Sequence, residues 1–397
     1  MSATVLYLVD GLGLSGKTKA LVDLVAGLDP ARYRGHVVCF DKEKSPLVDR
    51  LQAAGAPIDE IPCPDGLNMG VVARIGMLAR KLNPAVIHCY NPRTMLYGGM
   101  VARALRIDAT LGSLSAFACL TPDGDYRFLP QKLFSTSKRN RWRNWVACGL
   151  VKRVVTVSPT LGRNFCRYNK VDEKRLRVVS YGVDTDRFAR VTPEEIAAFR
   201  QKHGVPPGAV LVTSVGRLVE QKDYPTQLRA FAKAAASAPN LFMLLVGDGP
   251  LRGELEALAK ELGITDKVHF GGHSNDVPVA LRAADIFVLA SKFEPYGVAI
   301  LEAKAAGAAI VATKVNEIPE ILAGDTGVVV PAEDPEAMAA AFVRLAGDEA
   351  ERRALGRRAA ADAVRRHSLS HAISTYQDIY DEARGSRRRE SSPPGAF

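Results

Sequence analysis

Glu294 and Glu302 stand eight positions apart in Lys292-Phe-Glu-Pro-Tyr-Gly-Val-Ala-Ile-Leu-Glu302. The Pro-Tyr-Gly turn between them opens an apolar helix, while Ile286–Ala290 and Ala308–Ala312 read as buried strands on either side. Glu294 then belongs to a loop at the carboxyl end of a strand, beside the N–H groups of a helix start, and Glu302 lies about a turn and a half further on. A helix start attracts phosphate because its first N–H groups are unpaired and the macrodipole is positive there. A phosphate site between two carboxylates suits a nucleotide sugar, with one acid at the sugar end and one at the ribose end.

Other stretches could serve the same chemistry. Gly216-Arg217-Leu-Val-Glu-Gln-Lys222 follows an apolar run and precedes a helix, so a forked guanidinium and a point-charge ammonium share one loop. That pair could clamp a diphosphate; an ordinary basic loop reads the same way. Gly247-Asp-Gly-Pro250 is a tight turn with accessible backbone. Gly11-Leu-Gly13-Leu-Ser-Gly16-Lys17-Thr18 matches the P-loop pattern and lies between a strand and a helix, as that motif requires. A P-loop enzyme also needs an acid at the end of a second apolar strand to hold magnesium, and neither Ala85–Tyr90 nor Val154–Ser158 ends in one. Small residues in this turn have a simpler use, letting a phosphate or sugar approach the backbone. Asp184/Asp186 and Asp123/Asp125 imitate paired metal ligands, but turn chemistry explains both, and no metal site is expected.

These residues need a scaffold that gathers strand ends. Strands are expected near Thr4–Val9, His36–Phe40, Ile58–Ile61, Val86–Tyr90, Ala109–Leu114, Val154–Ser158 and Leu176–Ser180. In the second half they fall near Val210–Val215, Phe242–Val246, Val268–Phe270, Ile286–Leu289, Ala309–Ala312 and Gly327–Val330. Helical stretches alternate with them, which means parallel sheets covered on both faces. The pattern lapses into charged, Pro-containing sequence around Thr185–Pro206. This predicts an α/β protein of two Rossmann-like domains with ligands at strand carboxyl ends. The expected domains are 1–184 and 185–384, with a last helix able to pack back on the first domain and a compositionally disordered tail over 385–397.

The 397 residues are 47% apolar, enough for two cores, and no run approaches the length of a membrane span. The first strand begins at about Thr4, leaving no room for a signal peptide. Six cysteines without a Cys-x-x-Cys pair read as reduced thiols, so a cytoplasmic protein is expected. The net charge is +10, and Asp125 to Asp172 encloses eleven basic residues, both tryptophans and no acid. Basic residues interleaved with Trp142 and Trp145 suit an anionic membrane surface contacted through residues 127–153, or a solvated helix face with core tryptophans. No nucleic-acid motif accompanies the charge.

Together and in this order, Gly-Arg217…Lys222, Val-Gly-Asp-Gly-Pro250, Phe270-Gly-Gly, Glu294-Pro-Tyr-Gly…Glu302-Ala, Asn316-Glu-Ile-Pro-Glu and Gly182-Val-Asp-Thr-Asp-Arg-Phe188 resemble the donor half of the retaining glycosyltransferases of family 4. The likeness is close over about residues 150–345 and holds in outline before that. It implies the GT-B architecture, two facing Rossmann-like domains with an interdomain cleft. It implies a metal-independent, cofactor-free transfer of a sugar, with retention, from a nucleotide-sugar donor, UDP being common in the family. The acceptor would be a glycan or lipid-linked hydroxyl at the inner face of the cell membrane, in cell-envelope or polysaccharide biosynthesis; a soluble acceptor and a P-loop NTPase are the alternatives. By the same resemblance Arg217 and Lys222 would bind the diphosphate and Glu302 the ribose. Glu294 would contact the donor sugar, Tyr296, Gly297 and Val298 would present N–H groups, and Gly13 and Gly16 would let the first loop close over the donor. Relatives carry a His after the fifth strand; Ala109–Ser115 has none, and His88 is the substitute expected on the acceptor side.

Overall fold

The computed structural model describes residues 2–13, 16–64, 66–114, 138–274, 276–294 and 296–385. Its strands follow the apolar runs. β1 (Ala3–Gly11), β2 (Tyr33–Asp41), β3 (Ile58–Glu60), β4 (Val86–Cys89), β5 (Thr110–Ser113), β6 (Arg153–Thr156) and β7 (Leu176–Val178) form one parallel sheet, in the order β3-β2-β1-β4-β5-β6-β7. Every residue of β4 and β5 is buried, as a strand covered on both faces requires.

The helices divide between the two faces of this sheet. α1 (Gly16–Ala26) and α2 (Pro46–Ala53) connect β1 to β2 and β2 to β3, and their Leu21, Val25 and Leu51 pack with Val5, Tyr7 and Val9. α3 (Met69–Leu82), α4 (Pro92–Leu105), α5 (Lys138–Gly149) and α6 (Pro159–Asn169) follow β3, β4, β5 and β6 and cover the other face. Gly98 of α4 lies so close to Leu8, Ile87 and Cys89 that an added Cβ would be 2.4 Å from the Cys89 sulfur. The strand order reverses direction at β1, and right-handed crossovers on either side of that reversal must use opposite faces.

The second unit repeats the scheme. α7 (Thr185–Ala189) and α8 (Pro193–Lys202) lead into β8 (Val210–Val215), α9 (Tyr224–Ser237), β9 (Leu241–Val246), α10 (Arg252–Glu261), β10 (Val268–Gly272), α11 (Val277–Ala283), β11 (Ile286–Leu289), α12 (Val298–Ala306) and β12 (Ala309–Thr313). α13 (Ile318–Ile321), β13 (Val328–Val330), α14 (Pro335–Gly347) and α15 (Glu349–His367) complete it, with strand order β10-β9-β8-β11-β12-β13. Side-chain alternation divides its core: Val210, Val212, Met243 and Leu245 face α9 and α14, while Leu211, Leu244 and Val246 face Phe199 of α8 and Ala280 of α11.

The chain divides into two units. The second unit is Val183–Ser368, and α16 (Leu369–Ala383) belongs to the first. The reason is packing: Tyr380 and Ala383 are fully buried among first-sheet residues, and Glu382 accepts from Arg153 at 3.0 Å and from Arg177. Arg32 adds a 2.6 Å bond to Asp381. The expected tail over 385–397 falls mainly outside the described residues, as does the first part of the basic segment 127–153.

Candidate active site

In the second sheet the chain leaves β8 toward β9 on one side and returns past it to β11 on the other, so the carboxyl ends of β8 and β11 flank the switch in strand order. The loops after these two strands are stitched together. Gln221 donates through Nε2 to the Phe293 carbonyl at 2.9 Å, and its own carbonyl accepts from Lys292 N–H at 2.9 Å. Lys222, ending the 3-10 turn Glu220–Lys222, reaches across and donates to the Glu294 carboxylate. Ser291 Oγ donates to the same carboxylate oxygen at 3.3 Å. The Glu294 N–H donates to Asn316 Oδ1 at 3.0 Å, tying the loop after β12 to the loop after β11.

This arrangement leaves Glu294 buried with its carboxylate held from two sides, while Arg217, five residues before Lys222, is exposed. The Arg217 guanidinium makes no hydrogen bond or ion pair among the described residues. Asp223 next to Lys222 adopts a left-handed φ of 46° and caps α9 through Thr226, and burial raises its carboxyl pKa. Tyr224 donates to the Gly216 carbonyl at 3.1 Å, fixing the turn after β8; burial pushes its phenol up to about 12.

Two glycines permit the close approaches. A Cβ on Gly247, where φ is +138°, would lie 1.9 Å from the Gly216 carbonyl oxygen, so the loop after β9 can lie against the loop after β8 only with glycine there. Gly297 sits at φ +82° as the residue before α12, and no side chain caps that helix start. Tyr296 is buried, Val298 is exposed, and Glu302 is half-buried on the second turn of α12. The predicted set Arg217, Lys222, Glu294, Tyr296, Gly297, Val298 and Glu302 therefore comes from the β8 loop, the β11 loop and the first turns of α12. Sequence reasoning passed over Gln221 and Ser291; neither residue type announces its partners.

In the first unit, Gly13 lies in the loop after β1 with the Glu43 carboxylate where a Cβ would stand, and Gly16 opens α1 with free space around it. The Lys17 side chain is outside the described residues. His88 is not at a surface. It is fully buried in β4, its Nδ1 2.8 Å from Tyr380 Oη and its Nε2 2.7 Å from Ser113 Oγ, and burial lowers its pKa to about 3. With both ring nitrogens engaged and no exposed atom, His88 is packed as a core residue, not as a surface-facing one. Tyr7 and Tyr376 extend the same chain of hydrogen bonds, at 3.0 Å to Tyr380 and 3.3 Å to Ser113. At the switch in the first sheet, Asn91 donates to Asp10, a pair that sequence reading did not single out.

Residues 15–187 match the model for Glycosyltransferase Family 4 and residues 195–362 the model for glycosyl transferases group 1. The chain belongs to the family 4 glycosyltransferases. Among curated relatives of this family, the lipopolysaccharide core biosynthesis glycosyltransferase LpsE of Rhizobium meliloti is 34% identical over 188 residues, which are 47% of this chain and 52% of LpsE. A D-inositol 3-phosphate glycosyltransferase of Saccharomonospora viridis is 36% identical over 222 residues, 52% of this chain and 50% of that one. The chain thus spans about half the length of the curated relatives it matches. The crystal structure of Anabaena HepE in complex with UDP superimposes with a TM-score of 0.80 at 19% identity, over 96% of this chain and 100% of that one. The fold of this family 4 member is accordingly GT-B, built from two parallel-sheet α/β domains. Among its described residues no helix is long and apolar enough to cross a membrane.

Proposed function

We propose that the protein transfers a sugar, with retention, from a nucleotide-sugar donor to a hydroxyl of a glycan or lipid-linked acceptor at a membrane surface in cell-envelope polysaccharide synthesis. The observation that carries this reading is the convergence of Lys222 and Glu294 at the β8–β11 switch, beside an uncapped helix start. Arg217 and Lys222 hold the diphosphate, Glu302 accepts from the ribose hydroxyls, and Glu294 meets the sugar. UDP is the favoured nucleotide because HepE binds it and shares the fold.

In the reaction the bond from the anomeric carbon to the leaving phosphate oxygen breaks, giving an oxocarbenium-like centre. The acceptor hydroxyl forms the new bond from the same face, and the departing phosphate oxygen takes its proton. Charge on the leaving diphosphate is offset by Arg217, Lys222 and the first N–H groups of α12, in place of a metal ion. No side-chain base is assigned on the acceptor side.

The test is thermal stabilisation by UDP in the wild type and three variants. The proposal expects stabilisation by UDP, lost in Arg217→Ala and Glu302→Ala and kept in Lys17→Ala. Loss in Lys17→Ala alone would favour a P-loop nucleotidase instead.

A further inference from the structure

α3, α4, α5 and α6 lie side by side on one face of the first sheet, each packed on the next. Their sequences contain eleven Lys and Arg residues and not one Asp or Glu. The helices of the opposite face are mixed, with Asp23 in α1, Asp49 in α2 and Asp378, Asp381 and Glu382 in α16. On the basic face Arg74, Arg80, Lys81, Arg143, Arg163 and Arg167 are exposed.

The same face carries large apolar side chains in water. Leu67 is 58% exposed just before α3, Met69 and Met77 of α3 are 62% and 65% exposed, and Trp142 and Trp145 of α5 are 63% and 52% exposed. Met69, Ala73, Met77 and Lys81 recur every four residues, so they form one stripe along α3, bordered by Arg74 and Arg80. The opposite stripe, Val71, Ile75 and Ala79, is buried. α3 is therefore anchored by its own core contacts, with the Asn68 side chain accepting from Gly70 and Val71 N–H at its start, and its outer face is free of that duty.

We propose that the α3–α6 face lies on an anionic lipid surface, with Leu67, Met69 and Met77 on one side and Trp142 and Trp145 on the other entering the headgroup layer. Uniform positive charge with exposed Trp, Met and Leu is the chemistry of an interfacial contact, where cations meet lipid phosphates and apolar tips pass below them. A nucleic acid would answer to the charge but not to two methionines and a leucine. α3 and α5 both flank α4, which places the two apolar anchors roughly 20 Å apart at ordinary helix spacings. Two anchors at that separation fix the tilt of the unit on a plane, as one could not. The inference deepens, and for its purpose rests on, the reading of a membrane-presented acceptor.

The experiment is flotation of the full chain with vesicles of phosphatidylcholine alone or mixed with phosphatidylglycerol, alongside release of nucleoside diphosphate from a nucleotide sugar without acceptor. We expect co-flotation with the anionic vesicles only. Met69→Ser with Met77→Ser, and separately Arg74→Gln with Arg80→Gln, should each weaken it by about tenfold or more at unchanged melting temperature. Leu67→Ser, outside the helix, gives the same direction should a helix variant fold poorly. Diphosphate release should be the same in all variants. Equal flotation with both vesicle types, no flotation, or flotation insensitive to the α3 variants would overturn the surface. Binding to heparin but to neither vesicle would overturn it in favour of a polyanion partner. Absent diphosphate release with the expected flotation would remove the transferase reading and leave the surface standing.

Discussion

Lys222 and Glu294 are 72 residues apart in sequence and joined by a salt bridge between the loops after β8 and β11. Each is mostly buried, so the pair fixes where the two loops stand as well as neutralising the buried carboxylate. In the proposed reaction the donor enters between groups that already hold each other, and Lys222 exchanges a carboxylate for a phosphate as its partner.

This pairing predicts non-additive losses. Glu294→Gln and Lys222→Met should each lower turnover of the nucleotide sugar by about 10²–10³-fold. The double variant should lose far less than the product of the two, because either change alone breaks the same unit. Steady-state kinetics of the three variants measures this; fully multiplicative losses would mean the two residues act separately.

A second prediction concerns the loop glycines. Gly247→Ala places a methyl against the Gly216 carbonyl and should give little soluble protein, whereas Gly16→Ala meets nothing within 4 Å and should fold normally. Gly297→Ala forces a left-handed φ on alanine and should cost about 1 kcal/mol, measured by urea unfolding.

The buried ion pair behind α12 should respond asymmetrically. Lys304, fully buried, donates to Asp362 of α15 at 2.5 Å and to the Ile321 carbonyl at 2.7 Å. Asp362 also accepts from Arg365 and Arg366, which with Lys304 outweigh its burial and hold its carboxyl pKa down at about 2. Asp362→Asn leaves a buried ammonium without its counter-charge and should cost roughly 3–5 kcal/mol. Lys304→Met leaves Asp362 paired with its arginines and should cost clearly less by the same unfolding measurement.

His88 should give the fold an acid sensitivity above the carboxylate range. Its imidazole titrates near 6.5 when unfolded and at about 3 when folded, so protons favour the unfolded chain between those values. Stability present above pH 6.5 should fall with decreasing pH, with a slope up to about 1.4 kcal/mol per pH unit from this residue. Glu382 and Asp362, each at about 2 when folded, contribute mainly below the ordinary carboxylate pKa, and His203, also lowered by burial, adds in the same direction as His88. Denaturation curves from pH 7 to pH 5 should therefore be flatter for His88→Gln than for the wild type.

The scaffold was legible because buried parallel strands announce themselves: each of the thirteen expected apolar runs lies within or overlaps a strand. The residues gathered at the β8–β11 switch were legible for a related reason, since a loop such as Gly216–Lys222 is bracketed by a strand and a helix that can be read locally. What escaped was long-range. The place of His88 depends on Tyr380 of α16, 292 residues away, which also meets Tyr7. A histidine near the end of an apolar strand looks alike whether it points to a ligand or to a buried tyrosine. Lys304, inside an apolar helix, gave no sign that Asp362 would meet it.

The central claim is tested most directly by incubating the purified chain with single nucleotide sugars, with EDTA present, and measuring free nucleoside diphosphate. The account predicts release from at least one of them, about 10²–10³-fold slower in Glu294→Gln. Release that is unchanged in Glu294→Gln, or no release from any nucleotide sugar, would contradict it.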